Sequence, residues 1–311
     1  MARGWSYWSR NKLEILQGYL PAFNNAAKNK SSERIYIDLM AGEPENFDRD
    51  TGETFDGSAR IALEAQPTFT RFAFGEMPPK SARLKADLDN RYTGAPFRVY
   101  AGDCNVTVDR MLSDLSDVRW APTFAFLDQQ AAELRWDTMA KLAGFRSGKT
   151  KAEQWILWSP AMIVKGVMGT NGAAFADKVD NLYGSGRWRQ ILDARINEKS
   201  IEASEFRREM VNLLRWQFET QLRYGHTIRI PMTMKNNTDL YDMVFATDHN
   251  AGLKIMSHLY KKAAEREPKM KQEAIDAASP QGVLFSDYSG PIPEWTSEQC
   301  WDPADSSWWR N

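Results

Sequence analysis

Acidic residues close four successive apolar runs, and there the sequence first offers chemistry. The runs end Ile37-Asp38-Leu39-Met40-Ala41-Gly42, Phe74-Gly75-Glu76, Ala101-Gly102-Asp103-Cys104-Asn105 and Leu127-Asp128-Gln129-Gln130. A glycine at position 42 lets backbone approach a ligand with no Cβ in the way. Asp38 beside it can reach a ligand's amino group. A carboxylate after a second strand is the usual partner of the two hydroxyls of an adenosine ribose, the role expected of Glu76. Asp103 is placed to accept a hydrogen bond from an adenine amino group. Asp128, Gln129 and Gln130 stand where the reaction would occur. The carboxylate suits a general base or an acceptor-orienting group. The two amides suit hydrogen bonds to a planar acceptor on which Trp136 can stack. Each carboxylate also has a plainer reading, as a helix cap or loop organiser. Four on consecutive strand ends are a stronger signal than any one.

Phosphate-binding alternatives fit less well. No Gly-x-x-x-x-Gly-Lys-Ser/Thr loop is present, and only Gly42 remains of a dinucleotide fingerprint, followed by Glu43, which would repel a pyrophosphate. A phosphate-free, zwitterionic nucleoside such as S-adenosylmethionine suits the acidic strand ends better than NAD. Two alternatives stay open: a protein that holds the cofactor without catalysis, and a nucleotide-dependent oxidoreductase. Ser159-Pro160 lacks the flanking glycines of a nucleophile elbow. His226, His249 and His258 do not share ligand spacing, so no metal is expected. Asp248-His249 reads as a base dyad or, more simply, as a turn. Arg207, Arg208, Arg215 and Arg223 read as phosphate contacts or as a solvated face paired with Glu205, Glu209 and Glu219.

The elements that must position these residues alternate. Short apolar runs at 34–42, 70–74, 97–100, 123–127 and 154–158 read as buried strands, and each of the first four is followed by a helical pattern. This predicts an α/β fold, a doubly wound and mostly parallel sheet of Rossmann-like, class I methyltransferase type, with ligands at the strands' C-terminal rim. Five regions are expected: an N-terminal helical segment at 1–33, ended or kinked by Pro21; a cofactor-binding half at 34–165; a helical insert at 166–224; the final strands and helix of the same domain at 225–265, one strand antiparallel; and an extended tail at 266–311. The segment from Glu43 to Asp56 reads as polar turns.

Composition narrows the class. Hydrophobic residues at 42% and charged residues at 26% describe a globular chain, and a net charge of -1 gives no global nucleic-acid signature. Two cysteines, Cys104 and Cys300, form no disulfide framework. No apolar run is long enough to span a bilayer. The expected location is therefore cytoplasmic, with no membrane partner.

The opening Trp8-Ser9-Arg10-Asn11-Lys12-Leu13-Glu14-Ile15-Leu16 with Tyr19-Leu20, the run Tyr36 to Gly42, and Phe126-Leu127-Asp128 occur in an order that resembles the three-Cys-motif partner proteins (TcmP) of bacteria and phages. Leu182-Tyr183-Gly184 with Trp188, and Met243 to Thr247 with Gly252, extend the likeness over roughly residues 5 to 262. The resemblance implies a methyltransferase-like sheet, S-adenosylmethionine as cofactor, a neighbouring three-cysteine radical enzyme as partner, and a role in nucleic-acid modification or repair. Two departures stand out. Gly42-Glu43-Pro44 replaces the family's frequent Gly-Pro-Gly, and Asp128-Gln129-Gln130 replaces its frequent Asp-Pro. The second puts base N-methylation in doubt. In the insert, Tyr183, Trp188 and Trp216 beside Arg187 and Arg189 look exposed. Trp188 and Arg189 are the candidate docking or substrate-cap anchors.

Overall fold

The computed structural model describes residues 6–278, 292–295 and 302–303. The first element, α1 (Tyr7–Ala27), is followed by β1 (Ile35–Asp38), a hairpin of β2 (Glu45–Phe47) and β3 (Thr54–Asp56), and α2 (Ser58–Glu64). Next come β4 (Arg71–Glu76), α3 (Lys80–Arg91), β5 (Phe97–Ala101), α4 (Cys104–Asp114), β6 (Thr123–Leu127), α5 (Trp136–Gly144) and β7 (Glu153–Trp158). Four helices follow: α6 (Pro160–Val167), α7 (Gly172–Tyr183), α8 (Trp188–Ile196) and α9 (Ala203–Thr220). The chain closes with β8 (His226–Thr233), β9 (Asp239–Thr247) and α10 (Asn250–Ala278).

Seven strands form one sheet in the order β5-β4-β1-β6-β7-β9-β8. The first five pair in parallel, and β9 runs antiparallel to both its neighbours. This is the class I methyltransferase arrangement of a Rossmann-like sheet. The strand order reverses between β1 and β6, so the crevice above Asp38 and Asp128 is the switch point at which such sheets bind ligands.

Strand alternation sends successive side chains to opposite faces. Tyr36, Phe72, Phe74, Phe124, Phe126 and Trp155 meet α1, α2, α3 and α10 on one face. Ile35, Ile37, Ala73, Ala125, Leu127 and Ile156 meet α4 to α9 on the other. One face is thus aromatic, with Tyr36 and Phe124 stacked at 6.1 Å. The other is aliphatic along β1, β4 and β6, with Tyr100 and Trp158 added by β5 and β7. Helices α6 to α9 continue the second layer, so the expected insert shares the sheet's own core.

Three expectations are corrected. Pro21 does not end α1, which continues to Ala27 because Leu16, Tyr19, Leu20, Phe23 and Ala27 are all buried. The segment after Glu43 is not only turns; it contains the β2–β3 hairpin. The extended tail does not begin at residue 266. Helix α10 passes through Pro268 to Ala278, held by burial of Glu267, Met270, Lys271 and Ala274. Glu267 accepts the Thr233 N–H at 3.1 Å, and Lys271 Nζ donates to Thr233 Oγ1 at 2.8 Å. Most of the remaining tail, Cys300 included, lies outside the described residues.

Candidate functional site

The first strand end organises the crevice from behind. Asp38 is wholly buried. It accepts the Ser58 hydroxyl at 2.6 Å, the Tyr36 hydroxyl at 3.3 Å and the Met40 N–H at 3.2 Å. Its carboxyl is pushed up to about 7 by burial; the Ser58 and Met40 donors oppose the rise, and the nearby Asp128 and Glu76 carboxylates add to it. Asp38 therefore ties the turn after β1 to the start of α2. The expected direct contact with a ligand's amino group is not what this burial provides.

The turn itself opens outward. Gly42 has φ +66, a conformation costly for other residues, and nothing lies within 4 Å of the position a Cβ would take. Glu76, half-buried at the end of β4, accepts the Gly42 N–H at 2.7 Å through Oε2 and the Met77 N–H at 2.8 Å through Oε1. The glycine turn and the second-strand carboxylate thus meet.

The excursion carrying β2 and β3 is pinched at its neck. The Gly57 N–H donates to the Pro44 carbonyl at 2.8 Å, and a Cβ on Gly57 would lie 2.3 Å from the Glu43 carbonyl oxygen. Arg10 of α1 donates to Glu53 at 2.9 Å, Arg49 lies 5.3 Å over the Trp8 ring, and Lys235 donates to Asp50 at 3.0 Å. The hairpin is therefore strapped to the first turns of α1 and to the β8–β9 turn.

At the fourth strand end, Asp128 is paired. Lys12 Nζ donates to its Oδ2 at 2.5 Å, and the two side chains are 5% and 26% exposed. The ammonium also lies 5.8 Å from the Tyr241 ring centre. The neighbouring amide does structural work. Gln129 is buried, donates to the Leu157 carbonyl at 3.2 Å and accepts the Leu134 N–H at 3.3 Å. The expectation that it hydrogen-bonds an acceptor is corrected, because both ends of its amide already hold the loop. Gln130 is exposed, and its N–H donates to Glu133 at 3.1 Å.

Asp103 caps α4. Its Oδ1 accepts the Asn105 N–H at 2.7 Å and the Asn105 side-chain amide at 2.9 Å. Asn105 in turn accepts from the Arg135 N–H at 2.9 Å and the Thr138 hydroxyl at 2.7 Å, joining this cap to the loop after Asp128. Trp136 points away from an acceptor role. Its ring packs edge-on to Phe218 at 5.7 Å and against Gly184, where a Cβ would come within 2.7 Å of it.

The expected docking patch is corrected as well. Trp188 and Tyr183 are fully buried, and the Trp188 N–H donates to Asp180 at 2.8 Å. Arg189 is exposed but paired with the same Asp180 at 2.8 Å. Arg215 is buried, with its guanidinium on Thr227. Asp248 accepts from Lys151 and Gly225 at the far end of the sheet, which makes Asp248-His249 a turn. A concavity of about 490 Å³ opens among α6, α8 and α9, with Val164, Met168 and Phe206 in its lining; it is separate from the carboxylate cluster.

Sequence reasoning missed Lys12, Ser58 and Asn105. Lys12 left a readable sign, because it lies four residues before Leu16 and seven before Tyr19, on the apolar stripe of α1. A charged residue on a core stripe is seldom buried unless it is paired. Among the described residues, no group of three metal-ligating side chains occurs, and no helix is long and apolar enough to cross a membrane.

No known family model matches this chain, and no curated protein matches it. Solved structures do. Protein LPL1258 of Legionella pneumophila, from family DUF519, is 10% identical over 92% of this chain and 96% of its own, with a TM-score of 0.43. A candidate caffeoyl-CoA O-methyltransferase from Staphylococcus aureus is 9% identical over 69% and 75%, with a TM-score of 0.36. A riboflavin-analogue dimethyltransferase from Streptomyces davawensis is 13% identical over 74% and 54%, with a TM-score of 0.30. Likeness at this level carries no weight alone; the fold class rests on the strand order and orientation.

Proposed function

We propose that this chain binds S-adenosylmethionine above β1 and β4 and works as a methyltransferase of the three-Cys-motif partner type. The observation that carries the reading is the meeting of Glu76 with the open Gly42 turn at the sheet's switch point. The residues present fit a phosphate-free cation. Glu76 and the Lys12-paired Asp128 lie at the rim with Asp38 beneath them, so Glu76 supplies the negative charge that attracts a sulfonium and an ammonium and repels a pyrophosphate. Bound there, the sulfonium would supply the methyl group. Glu76 would accept from the ribose hydroxyls, the Met40–Gly42 backbone would meet the amino-acid end, and Asp103 would face the base. Asp128, held in place by Lys12, would orient the acceptor.

Isothermal calorimetry tests this reading. S-adenosylmethionine is expected to bind the wild type, and Glu76→Ala to weaken binding by about 1–3 kcal/mol through loss of a charged hydrogen bond. Absence of binding by the wild type, or preference for NAD, would remove the proposal.

A second reading has its own support. With Lys12 on Asp128 and both ends of Gln129 on backbone, little at the acceptor end is uncommitted. That favours an accessory subunit that holds the cofactor for another protein. The family resemblance adds a three-cysteine radical enzyme as that partner and nucleic acid as the shared substrate. Labelled-methyl transfer to DNA, RNA and cell extract separates the readings. Label on an acceptor supports the enzyme; cofactor binding without transfer, together with a co-purifying partner, supports the subunit.

A further inference from the structure

We infer that Lys12 is a positioning residue of the methyl-transfer site: delivered by α1 across the end of the sheet, its ammonium sets the charge and orientation of Asp128 beside the cofactor's sulfur. The inference rests on the proposed S-adenosylmethionine site.

Three observations lead to it. First, Lys12 occupies a position that packing alone would give to leucine. It is 4% exposed and shares the stripe of Leu16 and Tyr19. A buried ion pair is a weak stabilising device, often equalled or bettered by apolar side chains of the same volume, so packing does not explain the charge. Second, the pair lies at the site. Asp128 ends the strand next to β1, raises the proton affinity of Asp38 below the glycine turn, and keeps a quarter of its side chain open to solvent. Third, α1 holds its register by other means. The Asn11 side chain donates to the Ala263 carbonyl at 3.3 Å and accepts from Arg266 at 2.6 Å, and the Tyr7 hydroxyl donates to the Thr233 carbonyl. Lys12 is therefore not required to dock the helix.

The consequence concerns charge at one atom. S-adenosylmethionine carries a positive sulfur; its product S-adenosylhomocysteine carries a neutral one and is otherwise alike but for the methyl group. Lys12 neutralises the carboxylate that would otherwise draw the positive sulfur most strongly. Its removal should favour the cofactor over the product, and removal of Asp128 should do the opposite.

The test measures both affinities by calorimetry for the wild type, Lys12→Met, Lys12→Arg and Asp128→Asn. The affinity ratio of cofactor to product is expected to rise by about threefold or more in Lys12→Met, as an uncompensated unit charge nearby should produce. It should return close to the wild-type value in Lys12→Arg and fall below it in Asp128→Asn. Glu76→Ala should weaken both ligands without moving the ratio. An unchanged ratio in both Lys12→Met and Asp128→Asn, with wild-type binding intact, overturns the inference and leaves the cofactor reading standing. Wild type binding neither ligand overturns the cofactor reading itself, and this inference with it. Asp128→Asn leaves the buried Lys12 ammonium unpaired, so should it fail to fold Lys12→Met decides the question; should Lys12→Met fail, Lys12→Gln, which keeps a hydrogen-bond donor for the partly exposed Asp128, takes its place with the same expected rise in the ratio.

Discussion

The two ends of the sheet each hold a wholly buried carboxyl, and α1 reaches both neighbourhoods. At the strands' C-terminal rim, Asp38 is pushed up to about 7. At the opposite end, Glu153 is pushed up to about 7 by burial, opposed by the Thr247 and Tyr19 hydroxyls that donate to it at 2.6 Å each. Their surroundings differ. Around Glu153 the space is filled: a Cβ on Gly252 would lie 2.4 Å from its Oε1 and 3.0 Å from Thr247 Oγ1. Beside Asp38 stand two further carboxylates, a buried lysine on one of them, and a glycine turn with open space beyond it. A raised carboxyl alone does not mark a site. Unfilled volume and a second layer of charge separate the end that can take a ligand from the end that cannot.

The largest effect expected from breaking this contrast is on pH dependence. Below about pH 4.5 Glu153 is protonated in both the folded and unfolded states, and its stabilising contribution is complete. Between about 4.5 and 7 the unfolded chain gives up the proton while the folded chain keeps it, so stability falls; above 7 the loss levels off. Glu153→Gln removes this slope. Its urea midpoint should gain on the wild type as pH rises through that window, by at most about 3 kcal/mol. Cofactor affinity should stay unchanged. Asp38→Asn should show the same direction from about pH 4 to 7 and also weaken cofactor binding. A pH-independent difference for Glu153→Gln would show that its carboxyl is not held protonated.

Gly252→Ala should cost about 2 kcal/mol by overpacking the filled end, partly offset by the better helix propensity of alanine, with no effect on ligand affinity. A wild-type midpoint would mean that the cluster yields and the ends are less different than described. Its counterpart Gly42→Ala meets no atom, so its stability cost should be only the left-handed backbone strain of about 1–2 kcal/mol. Ligand affinity should drop with it; calorimetry showing full affinity would sink the open-turn argument. The smallest effect expected is for Asp103→Ala, about 1 kcal/mol from loss of the α4 cap.

Much of the rim was legible because its strands are buried on both faces and end in residues of contrasting type. Asp38, Gly42, Glu76 and Asp128 all fall at the ends of runs such as Phe124–Leu127, whose apolar character requires no knowledge of partners. One of the two late strands was expected to run antiparallel; which one, β9, depends on its place between β7 and β8 in the sheet. What stayed hidden depends on distant contacts. Trp188 looked like an exposed anchor because its own helix is short and mixed; the shared core buries it, and its N–H reaches Asp180 of α7. Pro21 looked like a stop or kink because local rules count the lost N–H, while the packing of α1 against α10 outweighs it, and α10 passes Pro268 in the same way. Gln129 looked available because one backbone partner, Leu157, lies on β7, and the other, Leu134, is brought back to it only by the fold of the loop they share.

The docking of α1 on α10 also bears on how the molecule comes into being. Asn11 is joined to Ala263, 252 positions later in the chain. On the ribosome the first helix would emerge long before the last; its Tyr19 and Phe23 can pack on Phe69 and Phe124 once β6 has been made, while Asn11 has no Ala263 or Arg266 to join until α10 follows. The parallel strands can assemble earlier, because each successive strand–helix unit follows its neighbours closely. The later turns of α1 can thus settle on the sheet first, and its early turns, with Asn11, are fixed only when α10 is made.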